Sequence, residues 1–184
     1  MLVIAGGAYG IDSAAHRGVL AVGGQTIAVL ATGVDRRYPA AHTELLDRIG
    51  DTGPLVSELP PGITPTRDRF IARNRLMAAL SGGVVIPEAG GTVWVAYDRA
   101  HRSPLTAHRL GRSVGAVPGP VTSAVSNGPN ELIKQGAASV VTQTSDVTAL
   151  LDADAVPGRT ARRPGVGREF SHQFLAPDTP KRSL

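Results

Sequence analysis

The sequence predicts an α/β fold built on a mainly parallel sheet. Three observations carry that prediction. Short apolar runs alternate along the chain with stretches of helical periodicity. The runs are apolar at nearly every position, as in strands covered on both faces. Glycine (22 residues) and proline (14 residues) are plentiful while aromatics make up 4%, which suits small-residue packing and many tight turns better than a β-sandwich.

The first strand is Leu2-Val3-Ile4, and the turn Ala5-Gly6-Gly7-Ala8-Tyr9-Gly10-Ile11-Asp12 follows it directly. A helix is expected over 11–22, with Ile11, Ala15, Val19 and Val22 on one face. Thr26-Ile27-Ala28-Val29-Leu30 reads as the next buried strand, and 41–49 as a helix carrying Leu45, Leu46 and Ile49. Leu55-Val56-Ser57 is a shorter strand, and 73–80 a helix with Leu76, Met77 and Leu80. Strands follow at 84–86 and 114–117, a short helix at 130–135, an edge strand at 139–141 and a last helix at 146–151. From about Asp152 the periodicity stops and Pro, Gly and Arg dominate. The expected organisation is therefore one α/β domain over 1–151 and a flexible basic tail over 152–184.

Composition removes several function classes. The chain has no cysteine, which excludes disulfides, zinc–thiolate sites and cysteine nucleophiles. No apolar run is long enough to span a bilayer, and residues 1–5 lack the charged start of a signal peptide, so a soluble cytoplasmic protein is expected. The net charge of +4 is compatible with a polyanionic partner.

Ligands of parallel α/β sheets bind beyond the carboxyl ends of the strands. The candidate residues lie in those loops. Gly6, Gly7 and Gly10 let backbone approach a ligand closely, and strand, glycine loop and helix start together form an anion site. A tight strand-to-helix turn is the plain alternative. Arg73-Asn74-Arg75 is expected to open a helix, where two guanidiniums, an amide and the helix dipole favour an anion. Arginines two apart do not share a helix face, so one contacts ligand and the other braces the loop. Arg36 and Arg37 stand in the turn after the second strand, beside Asp35. Asp12, Asp35, Glu58 and Glu88 all fall near strand ends. Paired carboxylates there suit acid–base or Mg²⁺ chemistry, but helix caps and arginine partners are the simpler roles. His16 lies one turn after Asp12, where packing or loop bracing is expected. The histidines show no metal-ligand spacing, and neither a G-x-S-x-G elbow nor a G-x-x-x-x-G-K-[ST] loop is present. No catalytic residue, metal or cofactor is assigned.

Taken in order, these motifs resemble the DprA/Smf family of bacterial DNA-processing proteins. The resemblance is carried by Gly6-Gly7-Ala8-Tyr9-Gly10-Ile11-Asp12 with Ala15-His16-Arg17, by Ala31-Thr32-Gly33-Val34-Asp35 with Tyr38-Pro39 and His42, and by Leu55-Val56-Ser57-Glu58 with Pro60-Pro61-Gly62. It continues through Phe70, Arg73-Asn74-Arg75, Glu88-Ala89, Gly111-Arg112, Ala116-Val117-Pro118-Gly119-Pro120, Gly128, Leu132-Ile133 and Gly136-Ala137. It implies a three-layer Rossmann-like fold with a mainly parallel sheet. It also implies single-stranded DNA binding in DNA uptake and natural transformation, loading of a RecA-type recombinase, homodimer formation and no catalysis. On the family pattern, Gly6, Gly7, Tyr9, Gly10, Arg73, Asn74 and Arg75 would line a DNA-phosphate pocket, with Asp12, His16, Asp35, Arg36, Arg37, Glu58 and Glu88 in support.

The pattern departs from the family in three places. Family members carry an earlier strand with a Gly-Ser-Arg motif and a helix before the glycine loop, so the chain is expected to be N-terminally truncated and its sheet incomplete. Residues 91–101 intervene before the reduced motif Arg102-Ser103-Pro104-Leu105-Thr106-Ala107, which a local frameshift would produce. The winged-helix tail of many members is likewise expected to be missing. The alternative function is a nucleotide sensor or a phosphoribohydrolase-like enzyme of a related Rossmann family, to which Glu88-Ala89-Gly90-Gly91-Thr92 bears a faint likeness.

Overall fold

Strand β1 (Val3–Ala5) pairs in parallel with β2 (Thr26–Val29), Ile4 lying opposite Ile27, and β2 pairs in parallel with β3 (Leu55–Val56), Ala28 lying opposite Leu55. The structure is a computed structural model and describes residues 1–89 and 103–155. A second parallel sheet joins β4 (Gly83–Ile86), β5 (Ser113–Ala116) and β6 (Ser139–Val140) in that order. Among the described residues the two sheets do not pair with each other, so β1 and β4 are each hydrogen-bonded on one side only.

Each parallel step needs a crossover, and helices supply it. Helix α1 (Ile11–Ala21) links β1 to β2, and α2 (Thr43–Thr52), entered through a 3₁₀ turn at Ala40–His42, links β2 to β3. The two helices pack on one another and on the first sheet. Helix α3 (Arg67–Leu80) lies against β1 and β2 and also against α4 (Ser103–Arg109), so it bridges the two halves. Helices α5 (Asn127–Lys134) and α6 (Thr144–Ala155) complete the second half and pack on β5.

The core of the first half is Ala28, Leu30, Leu45, Leu46 and Ile49, with Leu20 and Leu55 against it. Burying each leucine or isoleucine is worth about 1.5–3 kcal/mol, and the pattern at 45, 46 and 49 is what holds α2 to the sheet. The second core is made of smaller side chains: Ala78, Ala107 and Val114, with Val84, Ile86 and Ala138 alongside.

Two helices differ from the sequence reading. Helix α1 does not bury the expected face: Ile11 and Val22 are exposed, Ala15 and Val19 are half-buried, and the fully buried residue is His16. On the inward side Leu20 packs against the core and His16 finds a hydrogen-bond partner in Thr26. Helix α3 begins at Arg67, not Arg73. Thr66, following Pro65, caps it by accepting the Arg69 N–H at 3.3 Å. Arg73-Asn74-Arg75 therefore sits in the middle of the helix, and the dipole argument for an anion site at that tripeptide falls away. Of the tail expected over 152–184, residues 152–155 continue helix α6; 156 onward lies outside the described residues, as does 91–101.

Candidate functional site

The carboxyl ends of β1, β2 and β3 open side by side, because the strands are parallel. Three loops meet there, and α3 runs past them. In the first loop Gly7 and Gly10 have φ of +75° and +79°, which only glycine adopts without strain. Gly6 is glycine for another reason. A methyl carbon placed on it would fall within the guanidinium of Arg73.

Arg73 reaches inward from α3 and is 8% exposed. Its Nη1 donates to the carbonyl of Gly6 at 2.8 Å and to that of Val29 at 2.7 Å, tying the end of β1 to the end of β2. Its Nη2 lies 3.8 Å from the Asp12 carboxylate, and its Nε donates to Asn74 Oδ1 at 3.3 Å. The guanidinium also stands 5.7 Å from the centre of the Phe70 ring. Asp12, in the first turn of α1, accepts the Ala8 N–H at 3.1 Å. An internal carboxylate thus holds one amide of the glycine loop.

Two histidines brace β1 from its ends. Thr26 donates its hydroxyl proton to the carbonyl of Val3 at 2.9 Å, so its oxygen accepts from His16 Nδ1 at 2.7 Å. That fixes the proton of His16 on Nδ1 and leaves Nε2 buried, with no partner among the described residues. Burial pushes the His16 pKa below the ordinary 6.5; Asp12 opposes this, and Arg73 and His42 add to it. His42 donates from Nδ1 to the carbonyl of Gly7 at 3.0 Å, and its ring meets Tyr9 with centroids 4.7 Å apart.

The second loop is folded on itself. Thr32 donates to the carbonyl of Arg36 at 2.9 Å, and the Arg36 N–H donates to that of Gly33 at 3.0 Å. Both oxygens of Asp35 accept the Gly62 N–H at 2.9 Å, fastening the second loop to the third. Arg37 donates to Asp47 at 2.7 Å and to the carbonyl of Val34 at 2.6 Å. In the third loop Glu58 takes Arg75 on both oxygens, at 2.7 and 2.6 Å. Tyr38 packs on Phe70 with ring centroids 5.8 Å apart. The cleft under α3, lined by Leu30, Glu58, Leu59, Arg69 and Arg73 among others, holds about 50 Å³. That is room for about one or two waters, not for a nucleobase.

Comparison with known proteins decides the family. The model of the family described as DNA recombination-mediator protein A matches residues 1–152. The chain belongs to the DprA/Smf family. It is 49% identical over 145 residues to the DNA processing protein DprA of Mycobacterium tuberculosis, covering 79% of this chain and 36% of the relative. It is 40% identical over 152 residues to DprA of Streptococcus pneumoniae, covering 81% and 51% respectively. The chain thus spans about a third to a half of the length of these DprA relatives. The X-ray structure of Streptococcus pneumoniae DprA superposes with a TM-score of 0.71 at 41% identity, covering 81% of this chain and 50% of that one. A structure of DNA processing protein A from Helicobacter pylori, solved for that protein's single-stranded DNA binding mode, gives 0.68 at 27% identity, covering 83% and 66%. The Rossmann-like α/β fold of the DprA/Smf family is therefore the fold of this chain.

Of the DprA-type residues singled out in the sequence, Gly6, Asp12 and Arg73 come together directly, and Tyr9 and Gly10 are exposed at the mouth of the same loop. Gly7 is buried beside them, and Asn74 is half-buried against Arg73. Arg75 points outward to Glu58, Arg36 is exposed in the second loop, and Glu88 is exposed after β4. Asp35 and Arg37 hold loops together and His16 braces β1 from beneath. The likeness to phosphoribohydrolases falls partly outside the described residues, since only Glu88 and Ala89 of it are described. His42, Thr26 and Phe70 were not recognisable as parts of the site. His42 and Phe70 appear in the sequence only as members of the family pattern, and Thr26 only as a strand residue.

Proposed function

We propose that this chain binds single-stranded DNA, chiefly through phosphate, over the carboxyl ends of β1–β3. What supports the reading is that the glycine loop with the start of α1, the second loop and the third loop all leave the carboxyl ends of three adjacent parallel strands, in a chain of the DprA/Smf family. The exposed groups offered there are Tyr9, Gly10, Arg36 and Arg75; Gly6, Gly7, Arg73 and Asn74 form the layer beneath, supported by Asp12, His16, Asp35, Arg37 and Glu58. A strand recognised through its backbone binds with strong salt dependence and little sequence preference, and an exposed tyrosine adds stacking on any base.

On this reading the protein acts in DNA processing during uptake and natural transformation, hands single strands to a RecA-type recombinase, and works as a homodimer. It is a binding protein, not an enzyme. The cleft under α3 itself is too small to enclose a nucleotide. No helix among the described residues is long and apolar enough to cross a membrane.

The test is an electrophoretic mobility shift with a labelled oligonucleotide at low and moderate salt, run beside an assay for free base released from nucleoside monophosphates. A shift that weakens as salt rises, with no base release, is the expected result. Base release without oligonucleotide binding would overturn the reading in favour of a phosphoribohydrolase-like enzyme.

A further inference from the structure

We infer that Arg73 is not a phosphate ligand but the positioning residue of the glycine loop, and that Gly6 is glycine in order to seat its guanidinium. Three observations carry this. The position that a Cβ of Gly6 would occupy is filled by the Arg73 guanidinium, and Gly6, unlike Gly7 and Gly10, needs no positive φ. Arg73 Nη1 spends its hydrogen bonds on the carbonyls of Gly6 and Val29, at 2.8 and 2.7 Å, which fixes the spacing of β1 and β2 where their loops begin. The charge is answered from inside by Asp12, whose carboxylate also takes the Ala8 N–H at 3.1 Å.

The consequence concerns what the loop presents. Its inner half is already occupied by an internal guanidinium and an internal carboxylate. An incoming phosphate meets only the exposed outer half, at Tyr9 and Gly10. Arg73 acts on such a phosphate through the loop it holds. This outer-half assignment rests on the single-stranded DNA reading above; the seat itself does not.

The experiment has two arms. A double-mutant cycle of thermal unfolding compares Gly6→Ala, Arg73→Gln and the double variant with the wild-type chain. Gly6→Ala alone is expected to lower the melting temperature sharply, and to lower it far less once Arg73 has been shortened, because the two changes attack one contact. If either single variant fails to fold, Gly6→Ala in an Arg73→Ala background replaces it; a folded double variant beside an unfolded Gly6→Ala supports the same conclusion. Additive losses would overturn the seat. The second arm follows oligonucleotide binding against salt for the folded Arg73→Gln variant. Weaker binding with an unchanged slope of log affinity on log salt is expected of a positioning residue. A slope reduced by about one phosphate contact would make Arg73 a ligand and overturn the assignment. If the wild-type chain binds no oligonucleotide, the DNA reading and the outer-half assignment fail together, and the unfolding cycle still decides the seat.

Discussion

The two halves of the molecule are built on the same plan and furnished differently. Each is a three-stranded parallel sheet with crossover helices. The first half is packed with leucine and isoleucine and has polar groups set into its interior: His16 and Thr26 are 0% exposed and Arg73 is 8% exposed. Among the described residues the second has a smaller core cluster of alanine and valine, with Leu132 and Leu150 buried elsewhere in it; its one buried polar residue is Ser126, and the Arg112 Nε is buried without a partner. Buried polar side chains are expensive unless each is paired. Their concentration under the loops of β1–β3, where all but the His16 Nε2 find partners, marks the half whose loop geometry is held most tightly. The larger hydrophobic core beside them supplies the stability against which that polar layer is set.

The largest expected effect separates the two cores. Leu46→Ala removes a fully buried side chain that packs with Leu45 and Ile49 and lies under Gly7. It is expected to cost about 2–5 kcal/mol in denaturant unfolding. Val114→Ala in the second core is expected to cost about 0.5–3 kcal/mol. Equal losses would remove the distinction between the halves.

A glycine pair sharpens the same comparison. A Cβ on Gly33 would lie 2.6 Å from the carbonyl oxygen of Pro60 and 2.9 Å from Pro61 Cα, which are backbone atoms. A Cβ on Gly115 would lie 2.6 Å from Val141 Cγ2, the end of a side chain. Both substitutions are expected to destabilise by about 1–3 kcal/mol, with Gly33→Ala the costlier because backbone yields less. Calorimetric melting temperatures for the two variants check the order.

The buried histidine makes the first half pH-sensitive. The folded His16 pKa is lowered, so below the unfolded value of about 6.5 the unfolded chain binds more protons than the folded one. Stability is therefore full above that pH and is lost as pH falls through the folded pKa. The melting temperature of the wild-type chain should drop on acidification below about pH 6.5, and less so in His16→Asn, which retains a donor near the Thr26 hydroxyl. An unchanged pH profile in that variant would place the sensitivity elsewhere.

The smallest expected effect on stability is that of Arg75→Ala. Its pair with Glu58 is open to solvent, with side chains 51% and 40% exposed. Loss of the pair should cost less than about 1 kcal/mol in thermal unfolding.

Much of this was legible in the sequence. The alternation of apolar runs with helical periodicity located all six described strands, and the glycine loop announced the carboxyl end of β1. Helix α3 was legible only in its second half. Residues 67–75 alternate charge with isolated apolar residues and show no clear face, although Thr66 ahead of Arg67-Asp68-Arg69 was a capping signal. Missing that start put Arg73 and Arg75 at a helix terminus. Spacing then said that the two arginines face different ways, but not which one faces inward. The role of Gly6 was hidden for the same reason, because a seat for a guanidinium and a turn glycine are the same letter. His16 was legible as a packing or bracing residue, but its partner Thr26 was not, and His42 was unreadable as a brace, since these partners are a hydroxyl and a carbonyl from other elements.

The measurement that tests the account most directly is the salt dependence of oligonucleotide binding by the wild-type chain and by Arg75→Ala. The account predicts binding whose log affinity falls linearly with log salt, and a slope shallower by about 0.7 in the variant, the share of one phosphate on a single strand. Binding that ignores salt, or a variant with the wild-type slope and affinity, would contradict it.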